Sequence, residues 1–348
     1  MQVATSIVQH DLRRSAEVAA AAEATGYDIA QSMENQHDPY LVLAAACTST
    51  RRIELTPSIA LSFVRSPVAT AYAAYDLHVS SDGRFVLGLG SQVKGHNERR
   101  YSVPWTPAAT RMREVIEVIQ AVWRCWELGE PLDYAGEQYR VNLMPPNFRP
   151  KSSGLGRIPI AIAAVGPAML RLAGSHCDAV YLHPFCTRAY VENVVMPELQ
   201  TGFERGGRTR EQFRISGGGF LATGPDEAAV AERVEWVRQR VAFYGSTRSY
   251  HGVLAQHGLE DLGMKLYEMS KVGAWDKMAA EVSDEVVALF AAIGTYDRIE
   301  AEIKSRFGGV SDVISEGNGY GRAPQLPPDL IADIRRIPTS FSGFDRSW

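Results

Sequence analysis

The chain has 348 residues, 45% apolar and 22% charged, with a formal net charge of -4. This is an ordinary globular composition, large enough for one barrel-sized domain; dispersed charge of both signs gives no basic surface for nucleic acid. No run of 18 apolar residues suggests a membrane span, residues 1–14 lack the basic and apolar regions of a secretion signal, and Cys47, Cys125, Cys177 and Cys186 form no C-x-x-C pair, so the expectation is a cytoplasmic protein with buried, reduced thiols.

Residues 1–8 are β-branched and read as a strand. Asp11 then opens a helix carrying Leu12, Val18, Ala19 and Ala22, which stops at Gly26. A strand over 27–33 is followed by Pro39 and a helix over 40–49. A third strand spans 52–61, Pro67 opens the next helix, and RFVLGLG (84–90) is a fourth strand. A long segment, 94–157, interrupts the beat. It holds a strong helix over 108–128 and a Pro-rich arm over 129–156.

The beat resumes with strands at 158–165, 179–183 and 213–222, helices starting at Pro167, near Ala189 and after Pro225-Asp226, a second long segment at 245–284, a helix over 296–307 and a last strand at 312–316. Eight apolar strands alternating with helices suit strands covered on both faces, hence parallel ones. The count predicts an α/β chain of one domain, 1–348, folded as a (β/α)8 TIM barrel with insertions after strands 4 and 7. An open doubly wound sheet would carry a Gly-rich fingerprint after its first strand, and none is there. Both insertions follow strand C-termini, which places them on the catalytic face.

In a barrel, chemistry is drawn from the strand C-termini. Those ends offer Glu34-Asn35-Gln36-His37-Asp38, Ser58-Ile59-Ala60-Leu61, Gly88-Leu89-Gly90-Ser91, Ala164-Val165-Gly166-Pro167, His183-Pro184, Ala222-Thr223-Gly224 and Glu316-Gly317-Asn318. Glycoside hydrolysis needs two facing carboxylates, and only Glu34, near strand 2, and Glu316, near strand 8, are offered. Clustered metal ligands, a strand-end lysine for Schiff-base chemistry and a G-x-S-x-G elbow are also missing. What remains is small and rich in backbone N–H. Gly166 before Pro167 at a helix start makes an anion site. Such a site suits a cofactor that brings its own chemistry.

Three segments, GYDIAQSMENQHDPYLVLAAACTST, RIELTPSIALSFVRSPVATAYAAYDLHVSSDGRFVLGLGSQ and PIAIAAVGPAMLRLAGSHCDAVYLHPF, resemble the luciferase-like monooxygenase superfamily, in particular its branch that uses the deazaflavin coenzyme F420. The resemblance runs from residue 1 to about 244 and resumes near Leu289. It implies a flavin or deazaflavin ring at the C-terminal mouth, with a non-prolyl cis peptide behind it at Ser58-Ile59. It also implies cofactor contacts from Ser58, Ile59, Ala60, Gly90, Ser91, Val165, Gly166 and Pro167. Relatives that use FMN often hold its phosphate with Ser or Thr after strand 5. The Val165-Gly166-Pro167 turn looks like that of the F420 users.

One departure concerns acid–base chemistry. F420 dehydrogenases of this type commonly follow strand 2 with an acidic residue and a histidine, where this chain has Glu34-Asn35. Asparagine takes up no proton near neutral pH, so Asn35 orients at most, and His37 is the alternative. Catalytic candidates are therefore Glu34, Asn35 and His37, with no metal. Arg99 and Arg100 in GHNERRY can face an anionic cofactor tail or substrate.

Three functions follow. The first is an F420-dependent oxidoreductase passing hydride to or from a small organic substrate, which an apolar lining of Met33, Ile59, Leu61, Phe63 and Phe185 suggests is nonpolar. The second is an FMN-dependent monooxygenase, which needs a flavin reductase partner. The third is a non-catalytic flavin-binding barrel. The family resemblance adds a homodimer.

Overall fold

A computed structural model of the chain describes residues 1–317 and 325–348; Asn318 lies outside the described residues. The strands are β1 Gln2–Ser6, β2 Ile29–Ser32, β3 Glu54–Pro57, β4 Ala60–Leu61, β5 Leu87–Gly90, β6 Tyr134–Ala135, β7 Arg140–Val141, β8 Ile160–Ala164, β9 Ala179–Leu182, β10 Arg214–Gly217, β11 Phe220–Gly224, β12 Ala291–Thr295 and β13 Val313–Ser315. Nine of them form one parallel sheet in the order β3-β2-β1-β13-β10-β9-β8-β5-β4.

The two end strands, β3 and β4, are halves of one broken stave. The sheet therefore meets itself. Val86 N–H donates to Leu55 C=O at 3.0 Å and Ser62 N–H to Gly90 C=O at 2.9 Å across that seam. The result is the eight-staved TIM barrel that the strand count predicts.

Local chemistry sets the element ends. Asp11 accepts from Arg13 N–H at the start of Leu12–Thr25, and Gly26 ends that helix at φ 109°. Asp38 accepts from the N–H groups of Tyr40 and Leu41, with Pro39 in the first turn. The LGLG strand needs its glycines for another reason. A Cβ on Gly88 would lie 1.9 Å from Pro57 C=O, and one on Gly90 would lie 2.5 Å from Ile59 Cδ1. These two positions leave room for the broken stave.

Three expectations are corrected. The seventh strand ends at Gly217, because Gly217 and Gly218 take φ of 84° and 96° and turn the chain out of the sheet. Phe220–Gly224 instead pairs in parallel with Ala291–Thr295 in a separate two-stranded sheet. The insertion after strand 7 therefore starts before residue 245, and Ile299–Phe307 precedes the last stave. The segment after strand 4 also divides. Its helix Ala108–Glu127 packs between the helices Pro67–Ser80 and Pro167–His176 as part of the barrel wall.

The Pro-rich arm does not cover the mouth. It lies along that wall, held by Tyr134 Oη on Glu117 and by the N–H groups of Glu137, Gln138 and Tyr139 on Glu114. All four cysteines are buried and unpaired.

The N-terminal end of the barrel is closed by ion pairs and by the C-terminal tail. Arg214 and Glu54, each the first residue of its strand, meet at 2.6 Å with the Arg214 side chain 1% exposed. The ring of Phe344 covers its guanidinium at 4.7 Å, and Arg346 C=O accepts from Arg157 N–H at 2.8 Å. Removing one partner of a buried pair strands the other charge. Glu54→Ala is therefore expected to cost about 3–5 kcal/mol, read as a lower guanidinium midpoint; a loss below about 1 kcal/mol would place the pair among ordinary surface bridges.

Candidate active site

The broken stave forms one wall of a cavity of about 540 Å³ at the C-terminal mouth. The peptide Ser58-Ile59, between β3 and β4, is cis, and both residues line the cavity. Strand 2 holds this break in place. Ser58 N–H donates to Ser32 C=O at 2.7 Å and Glu34 N–H to Ile59 C=O at 3.2 Å. Leu61 N–H in turn donates to the Glu34 carboxylate at 2.7 Å. Arg65 bridges Glu34 and Asp38, both at 2.7 Å.

The next walls come from β5 and β8. Gly90 and Ser91 line the cavity, as do Val165 and Gly166. Ser91 is positioned by Asn97, whose Nδ2 donates to Ser91 C=O at 2.9 Å and Val93 C=O at 3.2 Å. Tyr190 Oη holds Val165 C=O at 2.9 Å. Gly166 caps the helix Pro167–His176 without any side-chain hydrogen bond. A Cβ there would meet nothing within 4 Å, so its missing side chain enlarges the cavity. The free N–H groups and the positive end of the helix dipole favour an anion at this point.

The far wall is aromatic. Tyr181, His183, Pro184 and, from the insertion after strand 7, Ser249 and Tyr250 complete it. His183 stacks on Tyr250 with ring centroids 4.8 Å apart and meets the edge of Tyr244 at 4.4 Å. Its Nδ1 accepts from Phe185 N–H at 3.0 Å. Burial pushes the His183 pKa down to about 4 and the phenol of Tyr250 up to about 12. Both groups are uncharged at neutral pH. No Asp, Glu, Lys or Arg is among the described residues lining the cavity.

Of the residues singled out from sequence, Ser58, Ile59, Gly90, Ser91, Val165 and Gly166 converge on this cavity; Ala60 and Pro167 sit beside it without lining it. Glu34, Asn35 and His37 do not line it. The Glu34 carboxylate is committed to Leu61 N–H and Arg65. Asn35 turns its side chain onto Gln36 N–H at 2.6 Å. His37 faces His10 at the rim, with ring centroids 6.4 Å apart.

Leu61 lines the cavity, whereas Met33, Phe63 and Phe185 do not. Arg99 and Arg100 are exposed, beyond the lining residues Gln92 and Val93. The sequence reading missed Asn97 and Tyr250, and assigned no role to His183. His183 carried the available signal, a polar side chain at the end of a stave. Tyr250 comes from a distant insertion and carried none.

A model of the luciferase-like monooxygenase family matches residues 1–310. An uncharacterized protein of Mycobacterium tuberculosis is 39% identical over 305 residues, covering 88% of this chain and 90% of that one. A putative coenzyme F420-dependent oxidoreductase of the same organism is 28% identical over 312 residues, covering 83% and 86%. The solved structure of the coenzyme F420 dependent tetrahydromethanopterin reductase from Methanopyrus kandleri superposes with a TM-score of 0.75 at 22% identity, covering 97% of each chain.

Burial gives the site a pH signature. His183 and the buried His78 both have pKa values pushed down to about 4 from 6.5. Between those values the unfolded chain holds more protons, so stability rises with pH. Their contribution is complete above about 6.5 and lost as pH falls through about 4. The urea midpoint should drop over this window, and less steeply in His183→Gln; identical slopes would contradict the desolvation of this half-buried imidazole.

Proposed function

The chain belongs to the luciferase-like monooxygenase family, and from that premise we propose a coenzyme F420-dependent oxidoreductase that moves a hydride to or from a small, uncharged organic substrate. Relatives and structural neighbours in this family use F420 or FMN. The observation that carries the reading is the open backbone cradle at Gly166, in a cavity with no charged side chain among its described lining residues. Such a site supplies shape and orientation and leaves the electron chemistry to a bound coenzyme.

In this reading the ring rests on Ser58 and Ile59, with Ala60 behind them outside the lining. Gly90 and Ser91 flank it, and the Val165-Gly166-Pro167 turn takes the phosphate. The absence of a hydroxyl in that turn, together with the F420-dependent name of the 28% relative, favours F420 over FMN. When bound, the deazaflavin carries the hydride. Arg99 and Arg100, exposed beyond the lining residues Gln92 and Val93, are the cations offered to an anionic tail of the coenzyme. Glu34 acts by holding the break in strand 3, and Asn35 and His37 are assigned no proton transfer. Buried free thiols and the lack of a membrane-crossing helix among the described residues support a cytoplasmic location.

We also propose a homodimer. The helices Pro39–Ser49 and Pro67–Ser80 are apolar on nearly every side, although they lie outside the barrel. A helix of this kind is built to be covered. Between them lies a mainly apolar groove of about 520 Å³ that includes Leu41, Ala44 and Ala73 together with Arg51 and Asp76, with Leu41 58% exposed. A second copy of the chain fits this face. Leu41→Asp should turn a dimer into a monomer of unchanged fold, read by light scattering and circular dichroism; a wild-type monomer would refute the dimer.

The cofactor is tested by titrating the protein with F420 and with FMN, following the fluorescence of its six tryptophans. F420 should bind at least tenfold more tightly, and Gly166→Val, which fills the cradle, should weaken it at least tenfold. Tight binding of FMN alone would support a monooxygenase served by a reductase. Failure of both would end the cofactor assignment.

A further inference from the structure

We infer that His183 is the group that receives the substrate, donating a hydrogen bond from Nε2 to a carbonyl or hydroxyl oxygen of an uncharged molecule. The inference rests on the reading of this cavity as the cofactor and substrate site, and it deepens that reading by naming the substrate class and the residue that selects it.

The tautomer follows from one bond. His183 Nδ1 accepts from Phe185 N–H at 3.0 Å; a neutral imidazole that accepts there carries its proton on Nε2. The ring plane is pinned by Tyr250 on one face, at 25° and 4.8 Å, and by the edge contact with Tyr244 at 84° and 4.4 Å. Nε2 has no protein acceptor among the described residues. Other histidines of the insertion are satisfied: His257 Nε2 meets Thr187 Oγ1 at 2.8 Å, and His251 Nε2 meets Gly245 C=O at 3.1 Å.

An oriented donor with no protein partner among the described residues offers a ready hydrogen bond to an acceptor that enters the cavity. The cavity also selects against charge. With no Asp, Glu, Lys or Arg among its described lining residues, an ionised substrate would be desolvated with no counter-charge. The side chain that sequence suggested for orientation, Asn35, is bonded to its own neighbour and leaves this task to the opposite wall. Desolvation keeps the imidazole neutral, so it acts as a dipolar donor and adds no charge of its own.

The test uses full-length protein with labelled histidine nitrogens, with and without oxidised F420. The probes are cyclohexanone and the anion cyclohexanecarboxylate. The His183 resonances, assigned by their loss in His183→Phe, should show the Nε2–H tautomer at pH 7. They should move with the ketone and stay still with the carboxylate. Ketone affinity should fall roughly tenfold in His183→Phe, the scale of one hydrogen bond, and stay within about threefold in His183→Gln, which keeps an N–H donor.

An Nδ1–H tautomer, a ketone that leaves His183 unmoved, or tighter binding of the carboxylate overturns the inference. The wild-type spectra decide the matter even if His183→Phe fails to fold. A His183 that responds to ketone in a protein that binds neither F420 nor FMN sinks the cofactor reading alone. Tight F420 binding with a silent His183 sinks this inference alone.

Discussion

The site is organised around the break in the third stave, and the barrel is arranged to accommodate it. Between Pro57 and Ala60 the backbone leaves the regular ladder. Two neighbours then have to do different things. The neighbour β5 has to withdraw, which it does by having no side chain at Gly88 and Gly90, where a Cβ would lie 1.9 Å from Pro57 C=O and 2.5 Å from Ile59 Cδ1. Strand 2 has to supply the hydrogen bonds that the ladder no longer gives. Ser32 C=O, Glu34 N–H and the Glu34 carboxylate do so. Buried backbone polar groups are nearly always paired in this way. The acidic residue after strand 2 is thus explained as a clamp, with Arg65 neutralising it from outside.

This division accounts for what was legible in the sequence. The alternation of apolar strands with capped helices shows the barrel, because parallel strands covered on both faces leave a plain apolar signature. The LGLG run is legible for the same local reason. The seventh stave was harder. Its Gly217-Gly218-Gly219 run sits inside an apolar stretch, so the exit from the sheet is visible only in the positive φ values. Likewise AAIGT directly follows the helix Asp284–Phe290, with no turn residue to mark β12.

Side-chain direction was the other loss. Position at a strand end brought Ser58, Ile59, Gly90, Ser91, Val165 and Gly166 together. The same rule failed for Asn35 and His37, which lie past the end of strand 2 on a loop whose course no periodicity describes. Tyr250 was out of reach because the insertion that carries it has no fixed place in the repeating unit. Loops set on a rigid scaffold commonly supply such binding residues.

Charge is distributed to match. The N-terminal end of the barrel holds Arg214 on Glu54, Arg210 on Asp312, and Arg157 and Arg208 on Asp178, all within 2.9 Å. These pairs fix the register of the staves and the tail far from the cavity. At the other end the lining residues are neutral. A charge placed there would compete with any bound coenzyme for the helix terminus at Gly166 and would hold water in the site. At the mouth the ion pairs of Arg65 with Glu34 and Asp38 are made behind the broken stave, so the same barrel is firmly tied below and presents neutral dipoles to its cavity above. In the proposed reading, selectivity then falls to the wall that carries the polar side chains His183, Ser249 and Tyr250, the turn after strand 6 and the insertion packed against it.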